Sequence, residues 1–261
     1  MALEIDLSEQ IVLVTGGVRG VGAGISRTLL AAGATVVTCA RRAPEEPVAA
    51  GDRTAEFLPC DIRDADAVAV LIDTVRDRHG RLDHLVNNAG GAPFALAETA
   101  SPRFHAKIVE LNLLAPLLMA QAANAVMQRQ DSGGSIVNIS SVSGHRPSPG
   151  TAAYGAAKAG LDNLTESLAV EWAPKVRVNS VVVGPVETEL AHLHYGDADG
   201  VAAVGATIPL GRMAAPDDVG RATAFLVSPL ARFVSGAQVL VHGGGERPAF
   251  LSAANAENAK L

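Results

Sequence analysis

Cysteine is scarce in this chain of 261 residues: Cys39 and Cys60 are its only two. Both fall at the ends of predicted strands, which points to buried thiols rather than a disulfide. No Cys or His spacing suits a metal, so none is expected. Aromatics make up only 3% of the chain against 48% hydrophobic residues, so the core must be built from Ala, Val and Leu. Positive charge is short as well. The net charge is −6 and no basic stripe occurs, which argues against a nucleic-acid partner. No apolar run approaches the roughly 18 residues that crossing a membrane needs. The opening Met1-Ala2-Leu3-Glu4-Ile5-Asp6 is acidic and lacks a signal-peptide pattern. A soluble, reducing, cytoplasmic setting is the expectation, with small molecules rather than nucleic acid or membrane as partners.

Against this background two features stand out. Thr15-Gly16-Gly17-Val18-Arg19-Gly20-Val21-Gly22 follows the apolar run at 11–15 and precedes a helical pattern. A helix N-terminus favours anionic phosphate. By analogy with the dinucleotide fold, Gly16 permits the tight turn, Gly20 lets a pyrophosphate approach the backbone, and Gly22 allows close helix–strand packing. The spacing is GxxxGxG, and the flanking strand and helix supply its context.

The second feature is Tyr154-Gly155-Ala156-Ala157-Lys158, with Ser141 thirteen residues before the tyrosine. Residues four apart on a helix share a face, so Tyr154 and Lys158 can enter one site. A tyrosine of pKa about 10 is a poor base at neutral pH. A nearby ammonium, helped by a cationic nicotinamide, is expected to lower that pKa. A drop of three units needs roughly 4 kcal/mol. Only four of the 21 basic residues are lysines, so a lysine at this place is informative. Ser140 and Ser141 are adjacent, and strand alternation sends only one of them inward. The spacing to Tyr154 favours Ser141.

Strand and helix patterns alternate along the chain. Strands are predicted at 11–15, 36–38, 56–58, 84–86, 135–139, 178–183 and 238–241. Helices are predicted from the glycine turn to about 32, from a cap at Asp64 to about 79, at 102–129, at 151–173 and at 216–227. Pro116 predicts a kink or break in the long helix. Residues 43–51 read as a loop or short helix. The alternation predicts an α/β fold, a doubly wound parallel sheet of Rossmann type in one domain. Residues 1–245 are expected to form that domain, with a tail at 246–261.

Eight motifs in order carry a family resemblance: TGGVRGVG at 15–22, CDIRD at 60–64, LVNNAG at 85–90, ELNLLAP at 110–116, SIVNISS at 135–141, YGAAK at 154–158, VRVNSVVVGPVET at 176–188 and IPLGRMAAPDDV at 208–219. The chain resembles the short-chain dehydrogenase/reductase family, in its single-domain branch of ~250 residues. The resemblance implies that Asp61 bonds the adenine amine with the Ile62 amide beside it, and that Asn88, Ala89 and Gly90 border the cofactor ribose. It implies that Asn112 holds a helix irregularity and a water linking Lys158 to solvent. Ser141 would bond the substrate oxygen, Tyr154 exchange the proton and also contact the cofactor, and Lys158 also bind ribose hydroxyls. Val186 and Thr188 would contact the nicotinamide carboxamide. The chain departs from the family at Val183-Gly184-Pro185 after the sixth strand, and at His242, where relatives carry aspartate before two glycines.

The expected function is hydride transfer between NADP(H) and a carbonyl or secondary alcohol. NADP is favoured over NAD because Ala40 stands where an NAD-selecting carboxylate would end the second strand. Arg41 and Arg19 are then free to flank a 2′-phosphate, with Val21 in the same cradle, while Arg42 is read as solvated. Reduction of an activated C=C bond and a non-catalytic cofactor-binding regulator are the alternatives. The resemblance and the Ala/Leu-rich helices imply a homotetramer or homodimer. The resemblance also implies a substrate lid at about 189–207; His192 and His194 read as residues of that lid, and His145 as a loop residue.

Overall fold

The computed structural model describes residues 4–253. In chain order the elements are β1 (Ile11–Thr15), α1 (Gly20–Ala31), β2 (Thr35–Ala40), β3 (Ala49–Ala50), β4 (Arg53–Thr54), β5 (Glu56–Pro59), α2 (Ala65–His79), β6 (His84–Asn87) and α3 (Pro102–Val109). A π-helical turn (Glu110–Leu114) joins α3 to α4 (Ala115–Met127). Then come β7 (Gly134–Ser141), α5 (Ala152–Glu171), β8 (Val176–Val183), α6 (His192–Tyr195), α7 (Ala198–Thr207), α8 (Pro216–Val227), β9 (Gln238–Val241) and α9 (Ala249–Ala253).

Seven strands pair in parallel in the order β5-β2-β1-β6-β7-β8-β9. Winding reverses between β1 and β6, and ligands of such sheets bind in the crevice at the carboxyl ends there. Both faces are covered, which is why the strands read as continuous apolar runs. Alternation sorts the side chains. Val12, Val14, Val86, Val137 and Val181 pack under α1 and α8, whereas Leu13, Leu85, Ile136 and Val178 pack under α2 and α4. Gly24 and Gly220 let α1 and α8 touch, since a Cβ on Gly220 would sit 2.8 Å from the Gly24 carbonyl oxygen.

Local signals explain most boundaries. Asp64 caps α2 by accepting from Asp66 N and Ala67 N, and Gly80 ends it at φ +76°. The predicted single helix at 102–129 differs in kind. Pro116 lacks an N–H, and the ladder adapts as the π turn just before it rather than as a kink. The 43–51 segment is neither plain loop nor helix but leads into a small β3–β4 hairpin. The stretch Pro102–Met127 is, by length and a mean hydropathy of 1.3, long and apolar enough to cross a membrane, contrary to the sequence reading. Its inner face packs into the core through Ile108, Ala115, Met119, Ala123 and Met127. Cys39 and Cys60 are free and buried, and burial pushes their thiols up to about 12 and about 11. Of the expected tail, residues 254–261 lie outside the described residues.

His84, at the start of β6, is buried with its Nδ1 2.8 Å from Ser135 Oγ. Burial brings its imidazole down from 6.5 to about 4, with Arg177 and Arg81 adding to the effect and Asp83 opposing it. The unfolded chain therefore binds a proton that the folded chain refuses between these values. Stability is full above pH 6.5 and declines as the pH falls towards 4, by up to about 3 kcal/mol from this residue. In His84→Gln this part of the acid sensitivity should vanish. Urea titrations at several pH values check it, and equal pH slopes for the two proteins would contradict it.

Candidate active site

The carboxyl ends of β1, β6, β7 and β8 gather the residues singled out by the sequence. After β1 the chain turns sharply, with Gly16 at φ +61° and Gly20 at φ +51°. A Cβ on Gly16 would lie 3.1–3.2 Å from Ala89 and Asn88. Thr15 Oγ1 accepts from the Asn88 and Ala89 amides at 3.0 Å each, and Asn88 Nδ2 donates to Thr15 O at 2.9 Å. The glycine turn and the Asn88-Ala89-Gly90 segment are thus bound to each other. Val21 is the second residue of α1.

Gly20 lies in ordinary contact with Thr188, whose Cγ2 is 3.6 Å from where a Cβ on the glycine would stand. Its amide donates to Glu189 Oε1 at 3.1 Å. The turn thus presents an amide N–H to an anionic oxygen at the helix N-terminus, a place that favours negative charge. Thr188 and Glu189 follow the β8 end, where Val186 bridges to Ala214.

On the other side of the turn, Gly16 N donates to Cys39 O at 2.7 Å, which brings the end of β2 alongside. Ala40 is the last residue of β2, and Arg41, Arg42 and Arg19 are exposed. Asp61 lies just beyond β5, its carboxylate gripped by Arg63 Nε at 2.9 Å and Nη2 at 2.5 Å. Arg63, with a smaller contribution from Arg41, holds this carboxyl down at about 2. Ile62 is buried beside it.

Ser141, Tyr154 and Lys158 meet between β7 and α5. Ser140 and Ser141 divide as the pleat requires. Ser140 turns back into the protein and bonds Asp162 at 2.8 Å. Ser141 faces the Tyr154 phenol and favours its ionised form. It also accepts from Ser143 N at 3.1 Å, which fixes its rotamer. Lys158 is buried, with Nζ donating to Ile139 O at 2.7 Å and lying 5.6 Å from the Tyr154 ring centroid. Burial brings the Lys158 ammonium down to about 8, against the pull of Asp162.

Asn112 lies in the π turn with no exposed surface. Its Oδ1 accepts from Gly91 N at 2.8 Å, and its Nδ2 donates to Gly91 O at 3.0 Å and Ile108 O at 2.9 Å. The irregular helix brings this amide to the loop after β6. A Cβ on Gly90 would meet Asn112 Oδ1 at 2.6 Å and Lys158 Nζ at 3.5 Å, so the three converge.

One expectation is reversed in the protein alone. The Tyr154 phenol is held above its ordinary value, not below it: burial dominates, Ser141 opposes it, and the Tyr195 phenol adds to it. The Lys158 ammonium is turned to Ile139 O and lies beside the ring, so it does not offset desolvation of the phenolate.

Some neighbours were not legible as site residues. The segment expected as a lid forms α6 and α7, and its Tyr195 approaches Tyr154. Arg146 and Glu246 form an ion pair at 2.5 Å, and both influence Tyr195. His145 reaches Asp162. His192 Nδ1 lies 3.1 Å from Glu189 O, and His192 and His194 are exposed. No group of three or more metal-ligating side chains occurs among the described residues. At the departures from the family, Gly184 N bonds Val241 O at 3.0 Å, and a Cβ on Gly184 would lie 2.8 Å from His242 Cβ. The glycine and His242 are thus packed against each other.

Residues 16–246 match the family described as Enoyl-(Acyl carrier protein) reductase. The cis-4-hydroxycyclohexanecarboxylate dehydrogenase of Sinomonas cyclohexanicum is 39% identical over 248 residues, covering 91% of this chain and 96% of that one. The L-fucose dehydrogenase of Oryctolagus cuniculus is 38% identical over 250 residues, covering 91% and 85%. The ligand-free aldohexose dehydrogenase of Thermoplasma acidophilum superposes with a TM-score of 0.86 at 30% identity, over 93% of this chain and 96% of that chain. This chain belongs to the short-chain dehydrogenase/reductase family. It is an oxidoreductase with a single Rossmann-type domain.

Proposed function

We propose that this oxidoreductase interconverts a carbonyl and a secondary alcohol with NADP(H), using Tyr154 as the general acid/base. The observation that carries the reading is the meeting of a buried phenol, a serine facing it and a lysine one helical turn on, beside a turn whose Gly20 amide holds an anionic oxygen. The dinucleotide supplies the hydride when bound. Gly16, Gly20, Val21 and Gly22 would hold its pyrophosphate, and Asp61 with Ile62 its adenine. Asn88, Ala89, Gly90 and Lys158 would hold its riboses, and Val186 with Thr188 its carboxamide.

In the reductive direction Tyr154 donates its proton to the substrate oxygen. Ser141 donates a hydrogen bond to the same oxygen and orients it. Lys158 and Asn112 serve the return of a proton to Tyr154. A phenol kept protonated by burial suits the donor role. The reverse reaction needs the phenolate, which an ammonium at Lys158 and a cationic nicotinamide would favour.

Reduction of an activated C=C bond is the second reading, and the description of the matching family favours it. The YxxxK spacing and Ser141 facing the phenol favour a carbonyl oxygen instead. The test is NADPH consumption with a panel of cyclic ketones and aldose-derived lactones against an enoyl thioester. Ketone or lactone turnover is expected. Turnover of the enoyl thioester alone would replace the carbonyl reading, and dinucleotide binding without any turnover would favour a non-catalytic binder.

The preference for NADP rests on Ala40 ending β2, with Arg41 and Arg19 exposed nearby. Losing one charge-assisted contact costs about 1.5–3 kcal/mol, or roughly ten- to a hundredfold in affinity. Arg41→Ala should weaken NADPH binding by that order and leave NADH binding unchanged. Equal weakening of both, measured by fluorescence titration, would show that Arg41 does not meet a 2′-phosphate.

On the same reading the protein is a homotetramer or homodimer. Leu114, Val170, Phe233 and Leu240 are large apolar side chains left exposed on one copy. Light scattering should report an oligomer at micromolar concentration, and a stable monomer would contradict it.

A further inference from the structure

Asp162 is a buried carboxylate that the chemistry above does not use. It lies one turn after Lys158 on α5, so both side chains leave the helix on the same face. Four chain segments converge on it. Ser180 on β8 donates to Oδ1 at 2.9 Å, and Ser140 on β7 donates to Oδ2 at 2.8 Å. His145 Nε2, from the loop after Ser141, lies 3.0 Å from Oδ2, and buried Lys158 stands one turn before it on its own helix, its Nζ on Ile139 O. The carboxylate is 5% exposed, whereas the His145 side chain is 39% exposed.

Burying a carboxylate is costly unless it is both hydrogen-bonded and charge-paired. The serines supply hydrogen bonds only, and His145 supplies charge only when its imidazole is protonated. The buried cation whose charge Asp162 supports is Lys158, and burial of Lys158 works the other way. The remaining groups around Lys158 are Tyr154, Asn112 and the Ile139 carbonyl, none of them a fixed anion. We propose that Asp162 is a positioning residue, the internal counter-charge that keeps Lys158 an ammonium inside the protein, with His145 tying that carboxylate to the loop that carries Ser141. Its consequence for turnover rests on the function proposed above, while the charge coupling itself does not.

The two are tested separately. The protein is labelled with 13C-lysine and titrated by NMR, the Lys158 signal being assigned from Lys158→Met. In Asp162→Asn the Lys158 midpoint should fall by about one pH unit or more. Ser180→Ala loses a hydrogen bond but keeps the charge, so it should leave the midpoint in place while lowering the melting temperature. The alkaline limb of kcat/KM for alcohol oxidation should move down in Asp162→Asn by the same amount as the midpoint. If Asp162→Asn does not fold, His145→Arg on its exposed loop places a guanidinium beside the carboxylate, and the midpoint must again fall. An unmoved Lys158 midpoint in the folded variant overturns the proposal, as does an equal shift in Ser180→Ala. A midpoint that falls while the activity profile stays put removes the role in turnover. Should the wild-type protein turn over no alcohol or carbonyl, the proposed function fails, and the NMR titration alone decides the counter-charge.

Discussion

Tyr154→Phe should lower turnover by about 10²- to 10⁴-fold, the range that a positioned acid/base contributes, and leave dinucleotide binding intact. Only the hydroxyl is lost. The ring keeps its place beside Lys158, and the Lys158 ammonium keeps its bond to Ile139 O. The glycine turn and the β2 end, where the cofactor is proposed to sit, do not touch the phenol. Steady-state rates with NADPH and a responsive ketone, together with a separate binding titration, check both halves. Wild-type-like turnover would remove Tyr154 from the reaction. Lost binding would mean that the ring supports the cofactor, and turnover could then not be assigned to the hydroxyl.

Gly22→Val should nearly abolish dinucleotide binding and destabilise the fold. A Cβ at this position would stand 2.5 Å from Asn88 Nδ2 and closer still to the carbonyl oxygen of Gly16. The closer atom is backbone, so no rotamer change relieves the clash. Either α1 moves away from β1 or the Gly16 turn opens, and both disrupt the Thr15–Asn88 hydrogen bonds. Overpacking of this kind costs roughly 1–3 kcal/mol or more, and the turn would no longer present its amides to phosphate. Thermal unfolding and NADPH titration measure the two effects. Near-normal stability and affinity would mean that this turn is not the cradle assigned to it. Gly51 makes a control for stability, because a Cβ there meets nothing within 4 Å, although its φ of +61° carries backbone strain.

The glycine turn, the Tyr154–Lys158 pair and the choice of Ser141 over Ser140 could all be read from short-range spacing. Turns, helix faces and strand pleats are local geometry, and local geometry has a period in the sequence. The seven sheet strands were legible for the same reason, as short apolar stretches between turn residues. The α6 and α7 helices were not. Their stretch is rich in Ala, Gly and Asp, which carry little pattern of one face against another. Pro116 signalled an irregularity, but the spacing could not tell a kink from the π turn that sets Asn112 against Gly91. Asp162 was within reach, since it follows Lys158 by one helical turn. Nothing local, however, marked its partners Ser180 and His145 as neighbours.

The sequence by itself determined the parallel doubly wound sheet, the glycine turn after β1 and the shared helix face of Tyr154 and Lys158, because each depends on residues within one turn, strand or helix. Tertiary structure decided the electrostatics. Glu189 meets the Gly20 amide across 169 residues, and Arg146 meets Glu246 across 100. Tyr154 is raised rather than lowered because its burial outweighs the Ser141 hydrogen bond. Burial and long-range charge depend on how the sheet and its helices close around a side chain, and a charge loses its water only when distant segments pack over it.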